Sequence, residues 1–113
     1  MRRFPKTRDD GTFKVRVRFS APPKKDLASI QRWLADWVQT HGEWVFFGKT
    51  HRFSDYFRET PRATLGDAGE LCLVFHGVSP DRGFWRDWYA RLGKDTVEAF
   101  PEIGELITVE NCD

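Results

Sequence analysis

The run Phe13-Lys14-Val15-Arg16-Val17-Arg18-Phe19 alternates apolar and basic residues without a break. A period of two places Phe13, Val15, Val17 and Phe19 on one side of a strand and Lys14, Arg16 and Arg18 on the other. Such a strand is half-buried: it needs a sheet with one face covered and one face open, which antiparallel sheets provide. The three cations belong to a wider polarisation of the chain. Nine of the eighteen Lys and Arg residues lie in the first 25 positions, while fifteen of the seventeen acids lie beyond them. The formal net charge is only +1, so the asymmetry is local and marks a contact surface rather than a generally basic protein.

A chain of 113 residues makes one domain that buries roughly two-thirds of its unfolded surface. Five Trp and ten Phe supply a large apolar payload and argue against disorder. We expect a flexible basic tail over 1–11, turning at Asp9-Asp10-Gly11, and a single α+β domain over 12–113. No run of 18 apolar residues suggests a membrane span, and no apolar segment follows Met1-Arg2-Arg3 as a secretory signal would require. Cys72 and Cys112 are too few and too distant for a disulfide framework or a zinc knuckle, which favours a reducing, cytoplasmic setting.

The first strand stops at Ser20-Ala21-Pro22-Pro23, and the prolines suit a helix entry. Leu27, Ile30, Trp33, Leu34, Trp37 and Val38 then recur at helical spacing up to Gly42, predicting a helix near 23–41. Trp44-Val45-Phe46-Phe47 reads as a second strand. Residues 48–69 are the longest irregular stretch, with a helical turn expected over 54–59 and a reverse turn at Gly66-Asp67-Ala68-Gly69. Leu71-Cys72-Leu73-Val74-Phe75 predicts a third strand. A second helix is expected near 81–93, opened by Ser79-Pro80-Asp81 and closed by Gly93, with Phe84, Trp85, Trp88, Tyr89 and Leu92 as its stripe. A further turn through Val97 and Phe100 precedes a last strand, Leu106-Ile107-Thr108-Val109. The order β-α-β-β-α-β predicts a two-layer split βαβ (ferredoxin-like) plait, a four-stranded antiparallel sheet with two helices on one face. In that topology the first and third strands are central and the last pairs with the first.

A two-layer plait leaves a sheet face without helices. On it we expect Lys14, Arg16 and Arg18 from the first strand, Cys72, Val74 and His76 from the third, and outward aromatics such as Trp44 and Phe46 from the second. Glu110 and Glu70 are placed to pair with the cations across strands. The candidate partner-binding residues are therefore Lys14, Arg16, Arg18, Trp44, Phe46, Val74 and His76. The irregular stretch gathers His51, Arg52, Asp55, Tyr56 and Arg58 into a candidate ligand loop. There Arg52, Arg58 and Arg62 have the fork geometry for carboxylate or phosphate.

Catalytic signatures are lacking. His41, His51 and His76, Cys72 as nucleophile, and Asp55 or Asp81 as orienter have no recognisable spacing, and a metal set of His51, His76 and Cys112 has none either. The chain carries no glycine-rich phosphate loop, so no cofactor is expected. Basic and aromatic residues on an open sheet suggest nucleic-acid binding, yet Glu70-Leu71-Cys72-Leu73-Val74-Phe75-His76 lacks the Gly- and aromatic-rich strand of RNA-recognition folds. The expectation is a small non-enzymatic protein-interaction module acting through the open sheet face, by self-association or as an inhibitor- or immunity-type accessory protein. The alternative is nucleic-acid or polyanion binding through the basic N-terminal region and first strand.

Overall fold

The computed structural model describes residues 9–52, 60–78 and 82–112, with the backbone alone for Trp44, Phe46 and residues 82–87. The elements are β1 (Thr12–Phe19), α1 (Leu27–Thr40), β2 (Glu43–Phe46), β3 (Lys49–Arg52), β4 (Arg62–Leu65), β5 (Leu71–Val78), α2 (Arg82–Ala99), a 3-10 turn (Pro101–Ile103) and β6 (Leu106–Asn111). The chain is α+β. Four strands form an antiparallel sheet in the order β4-β5-β1-β6, and β2 and β3 form a separate hairpin.

β1 begins where Asp10 Oδ1 accepts from both the Thr12 N–H (3.0 Å) and the Thr12 hydroxyl (2.6 Å), the side-chain turn that Asp favours. Its alternation then sorts the sheet. Phe13, Val15, Val17 and Phe19 are fully buried, and in the register Val15 lies opposite Phe75 and Val17 opposite Leu73. Both helices close over this side. Ile30, Leu34, Trp37 and Val38 of α1 and Trp88, Tyr89 and Leu92 of α2 join one core with the apolar residues of β1 and β5. Fully burying each such aliphatic or aromatic side chain contributes about 1.5–3 kcal/mol. The aromatic rings meet edge to face, Phe75 on Trp88 at 5.1 Å and Trp37 on Trp88 at 5.4 Å, the arrangement their quadrupoles favour. Trp37 also donates from Nε1 to Asp95 Oδ2 at 2.7 Å, tying α1 to α2.

Several expectations need correction. α1 starts at Leu27 rather than near 23, because Asp26 caps it: its Oδ1 accepts from the Ser29 N–H at 2.7 Å, which satisfies one of the orphan amides of the first turn. α2 does not stop at Gly93 but runs on to Ala99. A Cβ at Gly93 would come within 2.9 Å of Leu106 Cδ2, so this glycine is set by the close approach of α2 to β6, not by helix termination. Trp88 and Tyr89 of the expected stripe are both buried, while Trp33 of α1 is only half-buried, packed on Phe100 at 5.3 Å.

The largest correction concerns the second strand. Glu43–Phe46 pairs with Lys49–Arg52, outside the four-stranded sheet, whose edge is instead Arg62–Leu65. The reason lies at the hairpin tip, where Phe47 (φ 51°) and Gly48 (φ 74°) both have positive φ, the backbone of a two-residue I′ hairpin turn. At the edge strand, the Gln31 side chain of α1 acts as a partner: its Nε2 donates to the Pro61 carbonyl (2.7 Å) and its Oε1 accepts from the Ala63 N–H (2.8 Å). The turn at 66–69 forms as expected, with the Gly69 N–H donating to the Gly66 carbonyl at 2.9 Å. Residues 1–8 of the tail expected over 1–11, the helical turn expected over 54–59 and the helix opening at 79–81 lie outside the described residues.

Candidate binding face of the sheet

The strand registers arrange the helix-free face as three rows. In the middle row Arg62, Val74, Arg16 and Glu110 stand side by side across β4, β5, β1 and β6. The row beside it is Thr64, Cys72, Arg18 and Thr108. In the third, His76 faces Lys14, and Cys112 follows through its N–H to the Lys14 carbonyl (2.9 Å). Lys14, Arg16, Arg18, Cys72, Val74 and His76 thus lie together on one face. A concavity of about 320 Å³ opens there, floored by Val74 and Cys72 and bordered by Lys14, Arg16, Arg62, Thr64, Leu65, His76 and Cys112.

The electrostatics of these rows are one-sided. Four permanent cations, Lys14, Arg16, Arg18 and Arg62, stand in them against one carboxylate, Glu110. That carboxylate is committed: Arg16 donates from both Nε (2.9 Å) and Nη2 (2.7 Å) to the same oxygen, Oε1. The bond pushes the guanidinium pKa further up from its already high value. Glu70, expected to share this role, makes no ion pair among the described residues; it lies against Gly66 at the β4–β5 turn. Lys14, Arg18 and Arg62 have no ion-pair partner among the described residues either. Two polar atoms of the face, His76 Nε2 and Thr108 Oγ1, are shielded from water and make no hydrogen bond within the described residues.

Cys72 is buried, and burial pushes its thiol pKa up; Glu70 adds to this, and Arg16 and Arg18 only partly oppose it. A thiol held protonated is a poor nucleophile. His41 is the C-cap of α1, its Nδ1 donating to the Trp37 carbonyl at 2.9 Å and its ring stacking on Trp37. Among the described residues, no three His, Cys, Asp or Glu side chains come together as a metal set.

Of the remaining candidates, Trp44 and Phe46 belong to the hairpin and so are not part of the four-stranded sheet. His51 and Arg52 are strand residues of β3 rather than loop residues. His51 is buried, and exposed Arg52 pairs with Glu43 at 3.3 Å. Asp55, Tyr56 and Arg58 lie outside the described residues. Arg62, expected in the loop, joins the sheet face instead. Thr64 and Cys112 also belong to this face, where the sequence pattern does not place them. The period-two run Arg62-Ala63-Thr64-Leu65 is the signal that points to Thr64, and its four residues make it weak.

Among the described residues, no helix is long and apolar enough to cross a membrane. No family model, curated protein or solved structure matches the chain.

Proposed function

We propose that this protein is a non-enzymatic interaction module that binds an acidic protein partner over the helix-free face of its sheet. One observation carries the reading: four permanent cations share the paired rows with the half-buried Val74, and the only carboxylate of those rows already belongs to Arg16. A surface with an apolar centre and a one-signed rim selects a partner by complementary charge. A second copy of the same face would bring like charges together, which disfavours face-to-face self-association. Nucleic acid is disfavoured because the paired rows of this face include no aromatic ring other than His76 on which a base could stack.

The same reading takes the fold as the split βαβ plait with the β2–β3 hairpin inserted between the first helix and the edge strand. The order β4-β5-β1-β6, with β1 and β5 central, supports it. An accessory role of inhibitor or immunity type needs only such a face. Two free cysteines suit a reducing compartment such as the cytoplasm.

The test is affinity capture from the native host with the wild-type chain, Arg62→Glu and Val74→Asp, together with light scattering and a nucleic-acid retardation assay at about physiological salt, where the Debye length is roughly 8 Å. The expected result is an acidic protein captured by the wild type and lost in both variants, whose circular dichroism is unchanged. Capture unaffected by either substitution overturns the assignment of the face. A dimer, or a retarded nucleic acid, that is lost in the same variants replaces the acidic protein with that partner.

A further inference from the structure

We infer that the concavity beside β4 is a phosphate-monoester site, in which Lys14, Arg62 and His76 close on a phosphorylated side chain of the partner. This rests on the face reading above and adds the chemistry of the group recognised. The three residues come from three strands: Lys14 from β1, Arg62 from the edge strand β4 and His76 from β5. All three border the same concavity.

The row order decides which groups are available. Glu110 stands beyond Arg16, on the side away from Arg62, so no carboxylate of that row lies between Arg62 and Arg16. Arg16 has spent two donors on Glu110 and serves as a fixed wall. Among the described residues Lys14 and Arg62 make no ion pair, and His76 Nε2 is shielded from water with no hydrogen bond. A ligand group in this concavity therefore meets two full charges and an imidazole nitrogen.

A carboxylate brings one charge and fills one guanidinium fork. A phosphate monoester brings a charge of about −1.5 to −2 and three strong acceptor oxygens, one for each of Lys14, Arg62 and His76. Val74, on the floor, provides the apolar contact for the methylene that carries the ester.

The test uses the whole chain labelled with ¹⁵N. It is titrated with a blocked phosphoserine tripeptide, its glutamate counterpart and inorganic phosphate. Expected are saturable amide shifts at residues 14, 62–64 and 74–76 with the phosphoserine peptide, and weaker binding of the other two ligands. Lys14→Gln and Arg62→Gln each reduce the phosphopeptide affinity by about tenfold, the order of one lost charge-assisted hydrogen bond, with the rest of the spectrum unchanged. Equal binding of the glutamate peptide overturns the phosphate assignment while leaving the face as an acidic-partner site. Equal binding of inorganic phosphate overturns the side-chain source. An absence of saturable shifts, with partner capture still lost in Arg62→Glu, overturns this inference alone; an absence of shifts with capture unaffected in Arg62→Glu overturns the face as well.

Discussion

Phe75 and its neighbours Val74 and His76 leave the same strand in opposite directions. Phe75 is fully buried against Trp88 and Tyr89, whereas Val74 and His76 line an open concavity among cations. The same division runs through β1, where Phe13, Val15 and Val17 hold the helices and Lys14, Arg16 and Arg18 face away from them. The contrast separates two tasks residue by residue. One face is packed to make the fold; the other is held up by the fold, and among the described residues only Arg16 of its four cations has an ion-pair partner. Substitutions on the two faces should therefore differ in what they change, and four measurements probe the division.

The largest effect is expected from Phe75→Ala. Removing a ring buried among Trp88, Tyr89 and Val15 leaves a cavity, and unfolding by denaturant should show a loss of about 3–5 kcal/mol. A loss below about 1 kcal/mol would mean that the covered face is not the packed one. Gln31→Ala comes next. It strips the edge strand of the amide that serves the Pro61 carbonyl and the Ala63 N–H, at a cost of about 1–2 kcal/mol, and hydrogen exchange at Ala63 should quicken. For the Arg16–Glu110 pair, a double-mutant cycle with Arg16→Met and Glu110→Gln should return a coupling of about 0.2–1 kcal/mol, diminished by added salt, since both side chains are about one-third exposed. Arg62→Gln should change stability by no more than about 0.5 kcal/mol while weakening partner binding. A larger destabilisation would assign Arg62 to the fold and blur the contrast.

The two faces also differ in how plainly the residues announce them. The strict alternation of residues 13–19 by itself assigns both faces of β1; on the neighbouring strand Cys72, Val74 and His76 face outward once Leu71, Leu73 and Phe75 are turned to the helices. A side-chain period of two leaves no other choice once one face is buried. The Arg16–Glu110 bond is legible too, as opposite charges on adjacent strands. The edge strand is not, because Arg62–Leu65 is only four residues long, follows a proline, and takes part of its hydrogen bonding from a helix side chain. The hairpin is hidden for another reason: Phe47 occupies a left-handed position that Asn or Gly normally fills, so the residues announce a strand where the backbone turns. Gly93 looks like a helix stop because sequence alone does not distinguish a glycine that ends a helix from one that lets Leu106 approach it.

The bond of Gln31 to the edge strand has one more consequence, for growth rather than for stability. An edge strand with unpaired N–H and C=O groups is a template for another strand, and bonding those groups within the chain blunts it. Here the glutamine amide occupies the Ala63 N–H of β4 and the Pro61 carbonyl just before it, and β6 is the opposite edge of the sheet. A strand from another copy that approached β4 would meet these two groups already bonded, whereas no helix side chain is bonded to the β6 edge among the described residues. One side chain from a helix thus makes the two edges of the sheet unequal as templates for a further strand.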